Sequence, residues 1–169
     1  MGAYCAIPPE TYGSFTANSG SGFILGMAGS STPSVYNRQS LALNSNSHLQ
    51  IIGPVVLTVG IGMTVNSTVG NLDNPNWLEI RIASGGVAIN SSSKLYAKVI
   101  APSGLITINS NCRLIGNVVA DRLVVNGSGI LQIPQTVSSS ISSPTIMQPS
   151  SKLITSHAFL FEFYFREIP

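Results

Sequence analysis

Charge is the scarcest property of this chain. Only 8% of its 169 residues are Asp, Glu, Lys or Arg, against roughly 25% in an ordinary soluble domain, so Ser, Asn, Thr and Gly must make the surface. The basic residues Arg38, Arg81, Lys94, Lys98, Arg113, Arg122, Lys152 and Arg166 are scattered singly. No two are neighbours in sequence, so no basic stripe follows a phosphate backbone, and nucleic acid is not an expected partner. Long apolar runs are also missing. Nothing approaches the ~20 residues of a membrane helix, and the opening "MGAYCAIPPETYG" has neither a charged n-region nor an apolar h-region. No membrane span is expected. A surface poor in Lys and Glu suits an exported, extracellular or cell-surface protein, with any export signal lying outside this chain.

Clusters that carry chemistry are lacking as well. The carboxylates Glu10, Asp73, Glu79, Asp121, Glu162 and Glu167 form no pair at equivalent positions, whereas glycoside hydrolysis needs two acids flanking one bond. His48 and His157 are isolated, and the two cysteines lack metal-site spacing. No nucleophile elbow, phosphate loop or dinucleotide fingerprint occurs. The expectation is a non-enzyme without cofactor or metal. Cys5 and Cys112 permit one disulfide, or Cys112 is a free thiol buried as a small hydrophobe.

Helical spacing of apolar residues never holds for a full window, and Gly, Pro and β-branched pairs interrupt every candidate. What is present is a repeat. The pattern apolar-x-apolar-Asn-small occurs as "LALNS" (41–45), "MTVNS" (63–67), "VAINS" (87–91), "ITINS" (106–110) and "LVVNG" (123–127). It places Asn44, Asn66, Asn90, Asn109 and Asn126 at separations of 22, 24, 19 and 17 residues. "INSSSKLYAKVIAP" (89–102) aligns without a gap on "INSNCRLIGNVVAD" (108–121), putting Lys94 on Arg113 and Leu95 on Leu114.

A period near 20 residues, built of short β-like runs, predicts a solenoid. In "ITI" the isoleucines point to one face and Thr107 to the other. A single such coil cannot bury its apolar face, but stacked coils pair every backbone group with the rungs on either side. The predicted fold is all-β, a parallel β-helix of about five to six rungs. The repeat asparagines are expected at the corners, where Asn tolerates left-handed backbone and can stack into an amide ladder. Sequons at Asn66, Asn90 and Asn126 are explained by those corners.

At 169 residues the chain fits one domain. Within it, residues 1–34 are expected to form an irregular segment or cap rung, 35–133 the repeat, 134–152 a Ser/Pro-rich linker, and 153–169 a strand. In the insertion "NLDNPNWLEIRIASGG" (71–86), Trp77 is expected to close the side of the core, while Glu79 and Arg81 face outward as a pair. The final "HAFLFEFYFREIP" alternates Phe159, Phe161, Phe163 and Phe165 with Leu160, Glu162, Tyr164 and Arg166, a strand with one aromatic face. Such a face needs cover. The strand either folds back on its own solenoid or adds to a neighbour, which makes Phe159, Phe161, Phe163, Tyr164 and Phe165 the candidate assembly residues.

The run "LYAKVIAPSGLITINSNCRLIGNVVADRLVVNGSG" (95–129), within about residues 35–132, resembles the β-helix domains of bacterial prepilin-like and adhesin-like surface proteins. The resemblance implies a right-handed parallel β-helix outside the cell, with structural or adhesive roles and no catalytic residues to carry over. The chain departs from that family in lacking a long N-terminal membrane or pilin part and in ending on the aromatic strand. "LIGNVVADRLVVNGSGIL" is more weakly similar to bactofilins, polymerising cytoskeletal β-helices, which implies a cytoplasmic place, although their charge-rich rungs are absent. The leading expectation is a structural subunit that assembles with copies of itself into a fibre or surface layer. The alternative is a surface module that binds glycan or ice through a Ser/Thr/Asn face, although Thr64 and Thr107 alternate with Ala42, Ala88 and Val124.

Overall fold

A computed structural model describes residues 3–134 of the chain. Its strands are β1 (Ala3–Ala6), β2 (Phe15–Ala17), β3 (Ser21–Leu25), β4 (Ser34–Arg38), β5 (Leu41–Leu43), β6 (His48–Ile51), β7 (Val55–Val59) and β8 (Met63–Val65). They continue with β9 (Thr68–Gly70), β10 (Leu78–Ile82), β11 (Gly86–Ile89), β12 (Lys94–Tyr96), β13 (Lys98–Ile108), β14 (Arg113–Ile115), β15 (Val118–Val125) and β16 (Ile130–Gln132). One 3-10 turn, Pro75–Trp77, precedes β10.

The strands stack as a β-solenoid of about six turns with three faces. The first face is a seven-stranded sheet in the order β1-β3-β6-β9-β12-β14-β16. The other two belong to one folded nine-stranded sheet, because β13 runs through a corner. Its first half pairs with β10, Val99 opposite Ile80, and its second half pairs with β11, Ile106 opposite Val87. The second face is therefore β2, β5, β8, β11 and the later halves of β13 and β15. The third is β4, β7, β10 and the earlier halves.

All pairings between these strands are parallel, so the side-chain alternation of each rung lies in register on the next. Leu43, Val65, Ile89 and Ile108 form one inward column, each completely buried. Leu and the β-branched Ile and Val, the latter two favoured in strands, supply most of this core. Trp77 packs against it from the side, as its place beside β10 predicts. The turns grow tighter along the axis. Asn18 and Asn44 on adjacent rungs are 26 residues apart, Asn109 and Asn126 only 17, because loops such as 71–77 between β9 and β10 shrink to Ala97 alone between β12 and β13.

Two expectations need correction. Regular rungs start well before residue 35, since "FTANS" (15–19) is a further copy of the repeat: β2 pairs with β5, and the Asn44 amide Nδ2 donates to Asn18 Oδ1 at 3.0 Å. Its Ala17 and the 26-residue interval hid it. The disulfide is also not formed. Cys5 and Cys112 are both free, and on the first face β1 and β14 are separated by β3, β6, β9 and β12. Five strand spacings of about 4.8 Å lie far beyond disulfide reach; Cys112 instead fills the core.

Candidate functional site: the two ends of the solenoid

The corners show what the repeat asparagines do. Asn109 Nδ2 donates to Asn90 Oδ1, and Asn126 Nδ2 donates to Asn109 Oδ1 at 2.8 Å. These amides form the expected ladder, with Asn18 and Asn44 forming a second segment. Asn66 lies between the two segments and is tied to its neighbours through the backbone, its N–H donating to Leu43 O at 2.8 Å. The left-handed residues are different ones. Positive φ falls on Asn46 (59°), Ser91 (59°), Ser92 (56°) and Asn111 (63°). The repeat Asn is the first residue of a four-residue turn whose carbonyl accepts from the residue three on, as in Ser47 N to Asn44 O at 3.0 Å. The central positions, not the first, need positive φ.

On the third face Glu79 does pair with Arg81, Nε to Oε1 at 2.6 Å, and also with Lys98 of the next rung, Nζ to Oε2 at 3.0 Å. Arg81 first and Lys98 second hold the Glu79 carboxyl below the usual carboxylate range. On the second face Thr16, Ala42, Thr64, Ala88, Thr107 and Val124 stand in one outward column. A shallow groove of about 500 Å³ beside it is lined by Gly62, Met63, Gly86 and Val87 among others. Threonine occupies only alternate rungs there, so no continuous hydroxyl rank exists. Among the described residues no three His, Cys, Asp or Glu side chains gather as metal ligands. No helix of the described residues is long and apolar enough to cross a membrane.

The ends differ most from the rest. At the first rung Tyr36 points inward and is 1% exposed; its hydroxyl donates to Ile7 O at 3.1 Å and accepts from Gly26 N at 3.0 Å. Arg38, also inward and 4% exposed, lies 4.0 Å from the ring centroids of both Tyr12 and Phe15 and donates to Glu10 O and Asn37 O. Phe23 stacks on Phe15 at 4.9 Å. Burial lowers the Arg38 pKa, while Tyr12 and then Tyr36 act in the opposite direction. A cation is thus boxed by aromatic rings and carbonyl oxygens, which closes the core.

Among the described residues the last rung has no such lid. Val125 continues the column of Leu43, Val65, Ile89 and Ile108, yet it is 44% exposed, and Leu123, in register with Ile106, is 41% exposed. Val119 and Val124, on the outer side of the same strand, are exposed too. β15 therefore carries exposed apolar side chains on both faces and, among the described residues, pairs only with β13. The repeat pattern identified these residues as the last copy before the repeat ends at residue 133 and did not signal that their inward side chains are exposed. The expected assembly residues Phe159, Phe161, Phe163, Tyr164 and Phe165, with the linker before them, lie outside the described residues. Comparison of the chain with protein-family models, with curated proteins and with solved structures finds no match, so the likeness of residues 95–129 to surface β-helices rests on the repeat itself.

Proposed function

We propose that this chain is a non-enzymatic structural subunit that assembles with copies of itself into an extracellular fibre or surface layer. The observation that carries the reading is the last rung, where, among the described residues, Leu123 and Val125 leave the end of the core exposed while the first rung is closed by Tyr36 and Arg38. An unpaired strand edge with apolar side chains on both sides is a template for another strand, and proteins that work as monomers blunt such edges. β15 has no Pro, and its one charged pair, Asp121 with Arg122, stands at 3.7 Å in the middle of the strand. The aromatic segment 159–165 supplies the complementary strand, donated by a neighbouring copy in the manner of strand addition. The low charge of the chain reduces the repulsion between stacked copies.

Electron microscopy of the purified chain, beside a form lacking residues 153–169 and a full-length Leu123→Glu/Val125→Glu variant, tests the proposal. Fibres or sheets from the parent, absent from both altered forms, are expected. Undiminished fibres from either altered form would refute strand donation at β15.

A further inference from the structure

One corner of the solenoid departs from the others. Three residues separate the repeat Asn from the first face at Asn44 (Ser45–Ser47), Asn90 (Ser91–Ser93), Asn109 and Asn126, but at Asn66 only Ser67 does. Two missing residues leave a recess of about 220 Å³ between the turns of the adjoining rungs. Its walls carry Ser45, Asn46, Ser91 and Ser92, and its edge His48 and Thr68. His48 and Thr68 also border a second recess of about 260 Å³ that reaches Gln50 and Gly70. Gly70 lines that recess without a side chain: its φ is +98°, and a Cβ there would stand 2.2 Å from Tyr96 O, so no larger residue fits.

A second, independent feature lies on the same face. His48, Thr68, Lys94 and Arg113 form one outward column in register. Lys94 and Arg113 are exposed, on directly paired strands, and neither meets a carboxylate among the described residues. Like charges in register destabilise a sheet. Elsewhere the molecule balances such charges, since Lys98 stands in register with Glu79. Here no described residue of the face does, which leaves a place for an anion beside a hydroxyl- and amide-lined notch.

We infer that this face binds an acidic saccharide, its carboxylate or sulfate at Lys94 and Arg113 and its hydroxyl groups in the notch between 45–47 and 91–93. Hydroxyl and amide walls match a polyol, and two stacked cations match one acidic group per sugar unit. A nucleic acid strand fits less well, because single strands need aromatic stacking platforms and Tyr96 on this face is only 8% exposed. The site lies on the first face away from β15, so it does not depend on the assembly reading.

The full-length chain is tested in solution by calorimetry against four probes: a heparin hexasaccharide, a polygalacturonate hexasaccharide, neutral cellohexaose and a thymidylate 20-mer. Two variants accompany it, Lys94→Ala/Arg113→Ala, and an insertion of Ser-Asn between Asn66 and Ser67 that restores the turn length of the neighbours. Binding of one or both acidic sugars over cellohexaose and the oligonucleotide is expected, and which one binds distinguishes sulfate from carboxylate. Both variants, checked for a native circular dichroism spectrum, should bind about tenfold more weakly or worse. Equal binding of the oligonucleotide, no binding of either acidic sugar, or an insertion variant that binds as the parent does would each overturn the assignment.

Discussion

The first and last rungs are built from the same repeat and are finished in opposite ways. At the first, Arg38 and Tyr36 replace aliphatic residues at inward positions and tie themselves to Glu10, Asn37, Ile7 and Gly26. At the last, the aliphatic column simply continues to Leu123 and Val125 and stops. A solenoid adds a rung at nearly constant gain per rung, and what limits it is the cost of the two exposed core ends. One end of this molecule bears that cost within the chain. The other leaves it to whatever covers β15.

Substitutions at inward positions of the two end rungs test the contrast. Tyr36→Ala should cost about 3–5 kcal/mol, since it empties a buried aromatic site and removes a hydroxyl with two hydrogen bonds. Leu123→Ala should cost under about 1 kcal/mol in the dilute chain, because its side chain is already part exposed. Urea unfolding measures both, and similar costs would mean that the ends are equally sealed.

Arg38→Ala comes next, at about 2–3 kcal/mol, because it empties the space between the Tyr12 and Phe15 rings, while Glu10 O and Asn37 O keep the backbone N–H groups of Asn37 and Tyr12 as donors. Arg38→Met should recover part of that loss by refilling the space between the rings. Equal loss in both would assign the closure to the charge rather than to packing.

Asn109→Ala removes two amide bonds toward the open end and should cost about 1–2 kcal/mol. Asn66→Ala, which removes no such bond, should cost clearly less. The smallest effect belongs to the Glu79 cluster. The folded Glu79 pKa is depressed, so its contribution is present above the unfolded carboxylate pKa and fades as pH falls through the folded one. With Arg81 and Lys98 substantially exposed, Glu79→Gln should cost under about 1 kcal/mol at pH 7. Thermal melts should show that difference closing below the usual carboxylate range and shrinking in high salt.

The fold was legible because a two-residue alternation repeated at a near-constant interval has one physical solution, a stacked parallel solenoid. Residues that act inside one rung were legible too, Trp77 on the core and Glu79 beside Arg81, and so were the amides of Asn90, Asn109 and Asn126, which the repeat itself brings onto one another between rungs. Features that depend on comparing rungs were harder. "FTANS" was obscured by an interval of 26 residues, and the left-handed positions fell on Asn46, Ser91, Ser92 and Asn111 because turn geometry favours the centre of the turn over its first residue. The proximity of Lys94 and Arg113 was contained in the gapless alignment of 89–102 on 108–121, although their 19-residue separation reads as scatter in a linear sequence. The seal at Arg38 had no local signature, since it arises from rings contributed by three different strands and loops.

Hydrogen exchange of the β15 backbone, followed as a function of protein concentration, tests most directly whether the last rung is completed by another copy. The N–H groups of residues 118–125 that face away from β13 should exchange rapidly in dilute solution and become protected as concentration rises, while that of Asn37 in the first rung, which donates to Glu10 O at 3.1 Å, stays protected throughout. Protection of 118–125 that is the same at every concentration would contradict completion in trans.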